Sequence, residues 1–118
     1  MATKPNVLFV CTVNRMRSAT AEKIYADDER FNVDSAGTDK TSTVQIEEWH
    51  LEWADFIIVM ERMHQNKIRQ RFPKLYQTKR IICLHIPDEF GFMQPELIEL
   101  LRKKFEFAYE TEMAGKLG

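Results

Sequence analysis

Near its beginning the chain reads VLFVCTVNRMRS, from Val7 to Ser18. The first four of these residues belong to a short, continuously apolar run, which is typical of a β-strand buried on both faces of a parallel sheet. A thiol, Cys11, ends the run, and a helix-prone segment begins at Arg17. A strand, a short loop and a helix in this order predict an α/β fold in which the loop lies at the ligand-binding edge of the sheet.

The loop after Cys11 suits a bound oxyanion. Its backbone N–H groups can curl into an anion-binding nest, and the helix that follows adds its positive N-terminal end. Arg17 can hold two phosphate oxygens with its planar guanidinium, and the positive field favours the nucleophilic thiolate form of Cys11. A cysteine ending a hydrophobic strand is also commonly a plain buried side chain, so the catalytic hypothesis depends on Arg17 and Ser18 at their fixed offsets. The loop residues are Thr12, Val13, Asn14, Arg15 and Met16.

Length and charge fit a small cytoplasmic enzyme. The 118 residues predict one domain spanning 1–118, and 17 basic residues balance 18 acidic ones. The balanced charge indicates neither a nucleic-acid partner nor a membrane partner. No apolar run approaches the roughly 20 residues that a membrane span requires. Two cysteines, Cys11 and Cys83, do not make a disulfide framework, so a reducing compartment is expected. We expect a monomer or a weak dimer.

The basic residues are unevenly distributed. Between Arg62 and Arg80 there are seven basic residues and no acidic one. This segment is either a solvated helix face or a surface that steers an anionic substrate towards the site.

The rest of the chain alternates predicted strands and helices. Further strands are expected over residues 31–34, 56–60 and 80–84, and helices over 17–28, 44–53, 61–72 and 95–112. A tight turn is expected over residues 35–38, with Gly37 at positive φ, and Thr43 is expected to cap the second helix. Pro73 is expected to end the third helix. The pattern predicts a single-domain α/β fold, with a four-stranded parallel twisted sheet and helices on both faces.

A second candidate segment follows the fourth predicted strand. Asp88, next to Pro87 at the catalytic edge, is placed to protonate a leaving oxygen and then to activate water, or it is simply a turn-former. Glu89 is a weaker candidate for the same role. Phe90 is either a wall of the substrate pocket or a core side chain. Arg15 is expected at the pocket mouth or in solvent.

These motifs resemble the low-molecular-weight protein tyrosine phosphatases, and their short bacterial members in particular. The resemblance covers residues 10–22, 35–38, 53–60 and 87–88 and implies a phosphotyrosine phosphatase I-like fold. It implies that Cys11 is the nucleophile, that Arg17 binds phosphate and stabilises the transition state, and that Asp88 is the general acid. It also implies that Asn14 holds the strained loop and that the Ser18 hydroxyl stabilises the thiolate. No metal and no cofactor are implied.

Several positions depart from the family pattern. Val13 replaces a glycine, so either the loop geometry differs or strain is stored there. Met16 replaces a second loop cysteine. Asp88-Glu89-Phe90 stands where the family has Asp-Pro followed by tyrosines, and the segment after Thr38 is shorter, which predicts a shallower pocket.

The sequence therefore predicts a phosphomonoester hydrolase that acts through a phosphocysteine. Its substrate would be a phosphorylated protein, with phosphotyrosine leading, or a small phosphomonoester. Three alternatives remain: an arsenate reductase, for which Cys83 is a poor relay thiol; a phosphocarrier, which needs neither Arg17 nor Asp88; and a catalytically weak phosphate-binding or interaction domain. The three histidines are not spaced as metal ligands and are expected to be surface or satisfied polar residues.

Overall fold

The structure is a computed structural model that describes residues 4–114. Four parallel strands form one sheet in the order β2-β1-β3-β4. The strands are β1 (Asn6–Cys11), β2 (Asn32–Gly37), β3 (Phe56–Val59) and β4 (Arg80–Cys83). The helices are α1 (Arg17–Tyr25), α2 (Glu48–Trp53), α3 (Arg62–Arg71), α4 (Pro73–Thr78) and α5 (Pro95–Ala108), and a π-helical segment, Tyr109–Met113, continues α5.

Two hydrophobic cores cover the two faces of the sheet. Alternate side chains of β1 point to opposite faces: Phe9 enters a core with α1 and α5, whereas Leu8 enters a core with α2 and α3. The first core contains an aromatic cluster in which Phe105 lies 5.4 Å from Phe9 and 4.8 Å from Tyr25 between ring centroids. The predicted α/β fold, with a four-stranded parallel sheet between two helical layers, is confirmed. No helix in the described part of the chain is long and apolar enough to cross a membrane.

The predicted turn over residues 35–38 is wrong. Strand β2 continues to Gly37, because Ala36 and Gly37 pair with Val10 and Cys11 of β1. No glycine among residues 4–114 has a positive φ. Gly37 is needed for space instead: a Cβ there would lie 2.2 Å from Ser42 Oγ and 2.7 Å from the carbonyl oxygen of Thr12.

Several helix boundaries also differ from the prediction. Helix α2 begins at Glu48, and its N-cap is Glu47 rather than Thr43, because the Glu47 N–H donates to the side chain of His50. Pro73 begins a further helix, α4, as well as following α3, since proline is tolerated in the first turn. Helix α1 ends at Tyr25, three residues before the predicted end, and the α-helical part of α5 ends at Ala108.

Candidate active site

The loop after β1 is held by a chain of buried hydrogen bonds. Asn14 Nδ2 donates to Ser18 Oγ and to Ser35 Oγ, each at 2.9 Å, and Ser35 Oγ donates to the carboxylate of Glu22. Ser18 Oγ also lies 2.9 Å from Cys11 Sγ, and its hydroxyl hydrogen is not used towards Asn14. The network therefore ends in a hydroxyl that donates to the sulfur when Cys11 is a thiolate.

The loop conformation explains how Val13 is accommodated. Asn14 has a φ of 58°, a left-handed conformation that asparagine adopts more readily than most residues. Val13 is not among the residues with positive φ, so a β-branched side chain is compatible with its backbone. Of the two outcomes expected for Val13, stored strain is therefore not found at this position.

The backbone N–H groups of the loop are unused by the protein. No hydrogen bond among residues 4–114 has the N–H of residue 12, 13, 14, 15 or 16 as its donor. The carbonyl groups are instead occupied: those of Cys11, Thr12 and Val13 accept from residues 38, 39 and 43 at 2.9–3.1 Å. A run of free donors at the N-terminus of α1 is the arrangement that binds anions.

Arg17 is fixed at the same edge of the sheet, although it is only 1% exposed. Its Nη1 donates to the carboxylate of Glu61 and, at 2.8 Å, to the carbonyl of Ile86. Its Nη2 lies 3.4 Å from Thr12 Oγ1, and its Nε lies 3.9 Å from Asp88 Oδ1. Segments that follow three different strands thus converge on one guanidinium.

The late loop places the candidate acid beside this guanidinium. The side chain of Asp88 is 65% exposed, so it can exchange protons with water while remaining near Arg17. Glu89 is exposed and makes no ion pair within the described residues. Phe90 packs partly against the core on the α1 and α5 side. Its place in a substrate pocket stays a prediction.

Two further loop side chains, those of Arg15 and Met16, are exposed. Arg15 is exposed and donates to the carbonyl of Thr41 at 3.0 Å, so it is tied to the neighbouring loop. Met16 is 38% exposed. Beside the site, a cleft of about 370 Å³ is lined by Glu61, Arg62, Met63, His85 and Pro87.

Two site residues were not predicted from the sequence. Glu61 lies two residues after β3, which ends at Val59, and it contacts Arg17 more closely than Asp88 does. His64, in the first turn of α3, is fully buried, and its Nε2 lies 2.9 Å from Thr12 Oγ1. Burial, and after it the positive charge of Arg17, lowers the pKa of His64 to about 4. The sequence signal that could have identified them was their position shortly after a predicted strand, and therefore at the carboxyl edge of the sheet.

The two cysteines lie on opposite sides of the sheet. Cys11 belongs to the core next to α1 and α5, whereas Cys83 packs against the core next to α2 and α3. Both are free thiols. Within residues 4–114, no group of three or more His, Cys, Asp or Glu side chains is arranged to hold a metal ion.

Solved structures share this architecture. SP-PTP, a low-molecular-weight protein tyrosine phosphatase from Streptococcus pyogenes, superposes with a TM-score of 0.73 at 19% identity, over 97% of this chain and 96% of that one. The tyrosine phosphatase Wzb from Escherichia coli K30, in complex with phosphate, superposes with a TM-score of 0.74 at 19% identity, and the match covers 98% of this chain and 100% of that one. The YwlE arginine phosphatase from Geobacillus stearothermophilus superposes with a TM-score of 0.66 at 22% identity, and the match covers 92% of this chain and 97% of that one.

By sequence, no protein-family model matches the chain and no curated protein is detectably similar to it. The structural likeness at these identities establishes the fold. The chain has the fold of the low-molecular-weight protein tyrosine phosphatases, as its motifs predicted.

Proposed function

We propose that the protein is a phosphomonoester hydrolase that acts through a phosphocysteine formed on Cys11. The observation that carries this proposal is the loop itself: free backbone N–H groups surround the strand end that holds Cys11, and Arg17 closes the same site. Such a cradle binds three oxygens of a phosphoryl group and leaves the phosphorus facing the sulfur.

The first chemical step transfers the phosphoryl group to sulfur. The Cys11 thiolate attacks phosphorus, the S–P bond forms, and the bond from phosphorus to the ester oxygen breaks. Asp88, in its protonated form, gives its proton to the leaving oxygen. Arg17 Nη1 is occupied by Glu61 and Ile86, so Nε and Nη2 are the donors left for phosphate oxygens.

The second step returns the enzyme to its starting state. Asp88, now a carboxylate, takes a proton from water while the water oxygen attacks the phosphocysteine. The P–S bond breaks, inorganic phosphate leaves, and the Ser18 hydroxyl stabilises the thiolate that is released. Proton and charge therefore balance over the two steps without another co-reactant.

Phosphorylated proteins are the proposed substrate class, with phosphotyrosine first. Structures of tyrosine phosphatases match the chain over nearly their full length, which supports this choice. Phosphoarginine, a phosphoramidate, is the second candidate, because an arginine phosphatase shares the fold. The exposed carboxylate of Asp88 beside Arg17 supports this choice, since it can accept hydrogen bonds from a guanidinium leaving group.

The thiol arrangement disfavours arsenate reduction. A thiol relay needs a second sulfur near the first, and the only other cysteine of the chain, Cys83, packs on the opposite face of the sheet.

The test is hydrolysis of an aryl phosphate by the wild type, Cys11→Ser and Cys83→Ser. We expect Cys11→Ser to lose all measurable turnover while its melting temperature stays near the wild-type value, and Cys83→Ser to remain active. Peptides carrying phosphotyrosine or phosphoarginine then rank the substrate classes. Phosphate binding without turnover of the aryl phosphate or of either phosphopeptide would contradict the proposal and identify a binding domain instead.

A further inference from the structure

The chain contains two buried histidines in equivalent local settings. His50 and His64 each accept a backbone N–H on Nδ1, from Glu47 at 2.9 Å and from Glu61 at 3.0 Å. Each therefore closes a capping box at the start of a helix. They differ at Nε2: that of His50 has no hydrogen-bond partner within residues 4–114, whereas that of His64 contacts the loop after Cys11.

The capping contact fixes the tautomer of His64. Since Nδ1 accepts a hydrogen from Glu61, the ring hydrogen is on Nε2. Nε2 is 2.9 Å from Thr12 Oγ1 and so donates to it. The lowered pKa of about 4 keeps the ring neutral near pH 7, which preserves this arrangement.

These contacts also restrict the hydroxyl of Thr12, whose hydrogen can then point in only one direction. Its oxygen accepts from His64 Nε2 and from Arg17 Nη2, and a hydroxyl oxygen has two lone pairs to offer. No protein acceptor for the hydrogen is found in the part of the chain that the structure describes. Thr12 is half-buried and directly follows Cys11, so the free hydrogen is available to an anion held over the sulfur.

We propose that His64 is a positioning residue that makes the Thr12 hydroxyl a fixed hydrogen-bond donor to an oxygen of the bound phosphoryl group. The inference rests on the proposed function, since it places phosphate in the loop. A donor that is already oriented stabilises the anion without being reorganised when the anion arrives. Without His64, only the longer contact from Arg17 Nη2, at 3.4 Å, orients the hydroxyl of Thr12, and the ligand must supply the remaining order.

Matched variants separate this role from the helix cap. His64→Asn keeps an oxygen that can accept the Glu61 N–H but is too short to reach Thr12, whereas His64→Gln can reach Thr12 with an amide N–H. Thr12→Val removes the hydroxyl and preserves the shape, and Thr12→Ser retains the hydroxyl. His50→Asn disrupts the equivalent buried histidine at a distance from the site and serves as the control for lost stability.

The readout is the dissociation constant of inorganic phosphate, measured by calorimetry on each full-length variant. We expect Thr12→Val to weaken binding about tenfold and His64→Asn several-fold, the range of a hydrogen bond to a charged group. His64→Gln and Thr12→Ser should recover most of the affinity, and His50→Asn should leave it unchanged. The double variant Thr12→Val/His64→Asn should bind no more weakly than Thr12→Val alone, because both changes remove one contact.

Two results would overturn the inference. One is wild-type phosphate affinity in His64→Asn. The other is a double variant whose loss equals the sum of the two single losses, which would show that His64 acts independently of Thr12. Turnover of an aryl phosphate is measured on the same samples. Phosphate binding without turnover in the wild type counts against the proposed function alone. Turnover in the wild type, together with the same phosphate affinity in every variant, counts against this inference alone.

Discussion

Lowering the pH is expected to destabilise the fold through His64. Its pKa is about 4 in the folded protein and 6.5 in an unfolded chain, because burial and the nearby charge of Arg17 oppose protonation. Between these values the unfolded state binds the extra proton, so the free energy of unfolding falls as the pH decreases. At 1.36 kcal/mol per pKa unit, the loss relative to neutral pH is about 2 kcal/mol at pH 5 and roughly 3 kcal/mol at pH 4.

The assay is urea unfolding of the wild type and His64→Asn from pH 7 to pH 4. Other groups titrate in both proteins, including His50, whose pKa is also lowered by burial, so their contributions cancel in the difference. Across this interval we expect the free energy of unfolding of the wild type to fall by roughly 3 kcal/mol more than that of His64→Asn. A difference that stays constant within about 0.5 kcal/mol would refute the reasoning, since His64 would then titrate alike in both states.

Three further predictions concern the acid, the core and the strand end. Asp88→Asn should slow phosphoenzyme formation about 100-fold for alkoxide leaving groups and much less for nitrophenolate, which needs no protonation; equal slowing for both in burst kinetics would contradict an acid role. Phe105→Ala should lower the free energy of unfolding, measured with denaturant, by about 3–5 kcal/mol, because it removes a buried ring from the aromatic cluster. Phe107→Ala, at a side chain that is 69% exposed, should change the free energy of unfolding by less than about 0.5 kcal/mol. Gly37→Ala should weaken phosphate binding and lower the melting temperature, because the new Cβ would collide with the Thr12 carbonyl; wild-type values for both would show that the loop tolerates the methyl group.

The strand and loop that begin with Val7 could be predicted because their signals are local. An apolar run, a cysteine and an arginine at a fixed offset specify a strand, a loop and a helix start without knowledge of the rest of the chain. Gly37 was misread for the opposite reason. A glycine close to serine and threonine, here Ser35 and Thr38, is typical of a turn. Pairing with β1 instead extends β2, and the close approach of Thr12 and Ser42 is what requires a glycine.

The partners of Arg17 and Thr12 lie on segments that are distant in the sequence. Glu61 and His64 follow the strand next to β1, 44 and 52 residues away from Arg17 and Thr12 respectively. Sheet topology brings them together, and no periodicity in the sequence records it. The histidines were expected to be surface or satisfied polar residues. His64 is satisfied, by partners that became evident only from the packing of α3 on the loop, whereas the expectation is wrong for His50, which is buried with no partner for Nε2 among the described residues.

Alkylation of Cys11 by iodoacetate, in a Cys83→Ser background and followed by mass spectrometry, addresses the anion cradle most directly. The reagent is an anion, so the loop N–H groups and Arg17 should draw it to the sulfur of Cys11. We expect rapid carboxymethylation of Cys11, protection by inorganic phosphate, and slower carboxymethylation in Arg17→Ala. A Cys11 that stays unmodified in the folded protein, or that reacts at the same rate with and without phosphate, would show that no charged phosphate site surrounds this sulfur.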